Sequence, residues 1–169
     1  NLISASSNTT IDNIKIMYTG SHGIAMGTVK NVKYTNLEVA YIGGTCQYYK
    51  SGQMTRFGNG IEVYGGCDGF VIDNCYVYQC YDAGITHQYS KGGLNDVIEQ
   101  NVKFTNNVID KCIYNIEFFM GQGDADYAAR LLKNIEYSGN LLARSGYGWG
   151  MSPGRAASIK GWDHYNRSE

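Results

Sequence analysis

Glu62 and Glu117 stand in matching settings, Gly60-Ile61-Glu62-Val63 and Asn115-Ile116-Glu117-Phe118. Two carboxyl groups on one face are the equipment of glycosidic-bond hydrolysis. One protonates the leaving oxygen and the other activates water, with about 6.5–9.5 Å between them in the inverting geometry. The donor needs a raised pKa while its partner stays ionised. The competing expectation is a pair of solvated surface carboxylates. Around this pair, Tyr64 and Phe119 offer ring faces to CH-rich sugar rings, and Thr86 and Gln88 offer hydrogen bonds. Arg56 and Asp82 lie in the adjoining turns. Tyr, Phe and Thr are also ordinary strand residues. A β-eliminating lyase would instead need a base, from Lys50, Arg56 or Lys91, and a cation against the uronate carboxylate. Asp124 and Asp126, in Gly121-Gln122-Gly123-Asp124-Ala125-Asp126, are the calcium candidates. They fall short of the 6–8 oxygen ligands calcium takes, and no other cofactor is expected. The histidines offer less: His22 could reach the rim, parity turns His87 inward, and His164 lies in the tail.

Whatever aligns residues dozens of positions apart must be a repeat. The start Gly23-Ile24-Ala25-Met26 recurs as Gly60-Ile61-Glu62-Val63, Gly84-Ile85-Thr86-His87, Asn115-Ile116-Glu117-Phe118 and Gly148-Trp149-Gly150-Met151, with Leu2-Ile3-Ser4-Ala5 as an earlier copy. Inside each unit two period-2 strands flank one fixed residue: Asn13, Asn36, Asn74, Asn106, and Gly139 in the last copy. Asn and Gly are the residues that most readily accept positive φ, so a sharp bend is expected there. Three strands in the shortest units are too few residues for a propeller blade. Coiled, such units give a parallel β-helix with like residues stacked about 4.8 Å apart.

The inward ladders are then Ile3, Ile24, Ile61, Ile85, Ile116 and Trp149, and Ile16, Val39, Val77, Ile109 and Leu142. Cys75, Cys80 and Cys112 fall at inward positions as small apolar groups. The outward row is Ala25, Glu62, Thr86, Glu117 and Gly150, and the next is Gly27, Tyr64, Gln88, Phe119 and Ser152. The extra segments at 43–59, 89–94 and 120–131 all flank the first strands, where they would wall a groove.

With its Gly-Ile-x-Val starts and its ladder at Asn13, Asn36, Asn74 and Asn106, the chain resembles the right-handed parallel β-helix proteins, the pectate-lyase-like superfamily. The expected fold is all-β, a right-handed parallel β-helix of about six coils over residues 1–151. Residues 152–169 would be a partial coil or covering tail, and the whole is expected to be a fragment of a longer protein. The resemblance implies an extracellular or cell-surface protein that binds an extended polysaccharide, with hydrolase or lyase cleavage among its activities. It equally implies non-catalytic modules of adhesin or phage-tail type. Further coils of a longer chain, or self-association, would complete its ends.

Composition sets the outer bounds. Lys+Arg 14 against Asp+Glu 15 leaves no basic stripe for nucleic acid. No apolar run approaches the ~18 residues of a membrane span. Gly 22, Pro 1 and Tyr 15 suit strands joined by tight turns. The five Cys make no closed disulfide framework.

Overall fold

The computed structural model describes residues 2–46, 48–50, 52–89, 97–120, 130–147 and 156–163. Short strands follow one another in threes. The first set is β1 (Ile3–Ser4), β2 (Thr10–Asp12) and β3 (Lys15–Thr19), and the second is β4 (Ile24–Met26), β5 (Val29–Thr35) and β6 (Glu38–Ile42). An antiparallel hairpin, β7 (Tyr48–Lys50) and β8 (Gln53–Thr55), precedes the third set, β9 (Ile61–Val63), β10 (Cys67–Asp73) and β11 (Tyr76–Cys80). The fourth is β12 (Ala83–Tyr89), β13 (Val97–Thr105) and β14 (Val108–Asp110). The fifth is β15 (Tyr114–Met120), β16 (Arg130–Ser138) and β17 (Leu141–Ala143), after which comes β18 (Ala157–Asp163).

Each member of a set joins a different sheet. The first sheet runs β1-β4-β9-β12-β15-β18, the second β2-β5-β10-β13-β16 and the third β3-β6-β11-β14-β17. Neighbours in all three are parallel. Among the described residues there is no helix. An all-β chain with three parallel sheets filled in rotation is compatible with a parallel β-helix.

The bends are local and repeat every five residues. Asn13, Asn36, Asn74, Asn106 and Gly139 have φ of 54, 56, 52, 56 and 66°. Their side chains bond along the column: Asn74 Nδ2 donates to Asn36 Oδ1 at 2.7 Å, and Asn36 Nδ2 to Asp12 Oδ1 at 2.6 Å. Five residues earlier lies a second left-handed column, Asn8, Asn31, Gly69, Asn101 and Asn134. Five residues later lies a third, Tyr18, Tyr41, Gln79, Lys111 and Arg144.

The glycines that open the first-sheet strands answer to space rather than to φ. A Cβ on Gly23 would lie 2.5 Å from Gly60 O, one on Gly60 2.5 Å from Gly84 O, and one on Gly84 2.9 Å from Asn115 O. Each strand start thus sits against the backbone of the next. The ladders follow register: Ile3, Ile24, Ile61, Ile85 and Ile116 pair in succession, as do Ile16, Val39, Val77, Ile109 and Leu142. Burying each such side chain is worth about 1.5–3 kcal/mol, and Tyr34, Phe70 and Phe104 add edge-to-face ring contacts. Cys75, Cys80 and Cys112 are buried as expected.

One ladder place is corrected. Ile116 pairs with Ile159, not Trp149, so the sixth strand of the first sheet lies at Ala157–Asp163. Lys160 therefore follows Glu117 in the outward row, where Gly150 was expected. Gly-Trp-Gly-Met imitates the strand start, but Ala157-Ser158-Ile159-Lys160 supplies a β-branched residue in the right register. Trp149, Gly150 and Ser152 lie outside the described residues.

Candidate functional site

Parallel register brings Ala25, Glu62, Thr86, Glu117 and Lys160 into one row across the first sheet. Glu62 and Glu117 are two strands apart, which places their backbones about 10 Å from each other. Neither is a solvated surface carboxylate: Glu62 is 6% exposed and Glu117 4%. The expectation of solvated groups is thereby overturned, because neighbouring side chains close over both.

Each glutamate has partners. Lys160 Nζ donates to Glu117 Oε1 at 2.5 Å, and Gln88 Nε2 donates to Glu117 Oε2 at 3.1 Å and to Thr86 Oγ1 at 3.0 Å. Lys160 also lies 4.1 Å above the Tyr114 ring. His22 Nδ1 lies 2.8 Å from Glu62 Oε2 and 3.2 Å from the Asn59 amide nitrogen. One ring nitrogen cannot donate and accept at once. The Asn59 backbone N–H donates to Nδ1, which leaves Glu62 Oε2 buried beside the ring without a hydrogen-bond partner among the described residues. Phe57 stacks against the His22 ring at 6.0 Å.

Asp82 stands immediately before β12, its carbonyl receiving the amides of Ile113 and Tyr114. Although part of it reaches solvent, its crowded surroundings push its carboxyl up to about 6; after that burial, the charge of Glu117 contributes most, and Glu62 adds to it. Lys160 and His22 act in the opposite direction. Asp82 is therefore the group with acid character in a cluster that also holds Glu62, Glu117, Lys160 and His22.

The other expected residues divide. Gln88 is in the network, and Thr86 is wholly covered, its hydroxyl engaged by Gln88. Tyr64 is 38% exposed beyond β9, and Phe119 is half-buried on β15. Arg56 is held at the edge, its Nε donating to Gly43 O and its guanidinium 4.0 Å over the Tyr81 ring. Asp124, Asp126, Lys91, His164 and the Lys50 side chain lie outside the described residues.

Sequence reasoning missed Lys160, whose strand was sought earlier in the chain. It also missed an aromatic strip outside the third sheet, where Tyr18 and Tyr41 stack at 4.9 Å and Tyr76 and Tyr78 at 4.4 Å. Tyrosines recurring at the third bend were its signal. Compared with family models, curated proteins and solved structures, the chain finds no match in any of the three.

Proposed function

We propose that this chain is a right-handed parallel β-helix of about six coils, of the pectate-lyase-like kind, that binds an extended polysaccharide over the outer face of its first sheet and hydrolyses it. The observation that carries the reading is Asp82, a carboxyl with a value of about 6 flanked by the buried carboxylates Glu62 and Glu117. A carboxyl protonated near neutrality can give its proton to a leaving glycosidic oxygen.

A water between Asp82 and Glu62 would complete the acid and base pair of an inverting hydrolase. In this scheme Glu62, with His22 beside its carboxylate, takes the water's proton. Lys160 and Gln88 fix Glu117 in place, and its charge favours the proton on Asp82. Tyr64 and Phe119 supply ring faces, and the protein acts outside the cell or on its surface.

A second reading, a non-catalytic binding or structural module, is favoured by Glu117 already being engaged through both oxygens. The deciding experiment is a polysaccharide panel read by reducing ends and by the absorbance of unsaturated uronates. Hydrolysis predicts reducing ends without unsaturated products, and a loss of about 10²–10⁴-fold in Asp82→Asn and Glu62→Gln. Unsaturated products would replace hydrolysis by elimination. Binding without products, or products unaffected by either substitution, refutes the site.

A further inference from the structure

Inside the sheets, away from that face, lies a second cluster of chemically capable groups. Cys67 Sγ, a nitrogen of His87 and a Glu99 carboxylate oxygen all lie within 4.8 Å of one another. All three residues are buried, His87 and Glu99 completely. His87 Nδ1 is 2.6 Å from Glu99 Oε2, and its Nε2 is 2.5 Å from the Tyr137 hydroxyl. The other carboxylate oxygen, Glu99 Oε1, has no hydrogen-bond partner among the described residues. A buried polar atom left so is costly, and more so when it carries charge.

Packing does not ask for these residues. Cys67 pairs with Val29, and Glu99 pairs with Leu132. Because Asp68 pairs with Gln100, Cys67 and Glu99 are neighbours in the same ladder. The ladder thus reads Val29, Cys67, Glu99, Leu132: apolar at both ends, with ligand chemistry in the two middle places. His87 likewise stands between Val63 and Phe118. A nucleophilic triad does not account for the set. Nε2, which would have to face the thiol, faces Tyr137, and burial together with the Glu99 charge holds the Cys67 thiol well above its ordinary range.

We propose that Cys67, His87 and Glu99 bind a divalent transition-metal ion of the zinc class, with water as the fourth ligand. Thiolate, imidazole and carboxylate are the donor types zinc takes, and three protein ligands with one open position is the arrangement of its reactive sites. Cys67 also lines a 340 Å³ cleft with Gly65, Gly66, Tyr89 and Gln100, which places one of the three ligands beside solvent-accessible space. On binding, the thiol proton leaves to solvent and sulfur donates its electron pair to the metal. Nδ1 does the same as the ring takes its other tautomer, with Nε2–H donating to the Tyr137 oxygen. That outer hydrogen bond is the kind that orients a ligating histidine. Zinc at ordinary bond lengths separates its ligands by roughly 3.3–3.8 Å, so the His87–Glu99 contact opens and Cys67 closes in.

The test uses the full chain, stripped by chelator and titrated with Co²⁺ and then Zn²⁺. One equivalent of cobalt should bind with a sulfur-to-metal charge-transfer band, zinc should displace it, and zinc should raise Tm. Cys67→Ser should abolish the band, whereas Cys46→Ser, at the exposed thiol, should leave it unchanged. Tyr137→Phe should weaken binding about 10–100-fold. Absence of stoichiometric binding, a cobalt spectrum without the sulfur band, or a band that survives Cys67→Ser overturns the assignment. If Cys67→Ser does not fold, the wild-type spectrum and the Tyr137→Phe affinity decide: a missing band or an unchanged affinity refutes the site.

Discussion

Replacing Asp82 by Asn removes one charge from the crowded outer face while preserving shape. In an unfolded chain this carboxyl titrates at its ordinary 3.8, and in the folded protein at about 6. Between those values the folded chain holds a proton that the unfolded chain has released. Stability therefore falls as pH rises through the window, and the loss is complete above about 6. The full shift corresponds to about 3 kcal/mol at 1.36 kcal/mol per pH unit. Because part of Asp82 reaches solvent, screening reduces this to about 1–2 kcal/mol. The assay is urea denaturation of wild type and Asp82→Asn at a series of pH values spanning the window. Asp82→Asn should be the more stable protein above the upper value, and the gap should close toward the lower one. Glu117→Gln, by removing the largest charge acting on Asp82, should narrow the gap in its own background. A gap of constant size across the window refutes the raised value of Asp82 in the folded protein.

Two further substitutions probe the frame that holds the cluster. Gly60→Ala places a methyl group 2.5 Å from Gly84 O, a backbone atom that cannot turn aside. It should cost about 1–3 kcal/mol by chemical denaturation, and a neutral result would disprove the close approach of these strands. Asn74→Ala should cost about 1–2 kcal/mol, because its φ of 52° is unfavourable for Ala. Asn74→Gly should recover most of that loss, leaving only the bond to Asn36, and equal losses for Ala and Gly would refute the strained bend.

Much of the frame was readable from residue order. The column Asn13, Asn36, Asn74 and Asn106 and the ladder through Ile24, Ile61, Ile85 and Ile116 depend on local rules: side-chain tolerance of positive φ, and alternation along a strand. The column through Asn8, Asn31, Asn101 and Asn134 obeys the same rule and was equally accessible. The third column was not, since Tyr18, Tyr41, Lys111 and Arg144 are residue types that do not announce a left-handed bend.

The sites needed the fold. Alternation along a strand states which way Glu62, Glu117 and His87 point, but not what stands opposite. The row containing Glu117 takes in Lys160 only because register carries β18 next to β15, across 43 residues from Glu117 to Lys160. His87 meets Glu99 and Tyr137 because strands of two sheets face each other across the interior. The raised value of Asp82 depends on burial among neighbouring strands and on the charges of Glu117 on β15 and Glu62 on β9. Alternation and turn preference act within a few bonds of the chain and so can be read from it. Burial and charge act through space, and only the stacked sheets determine which groups come within reach.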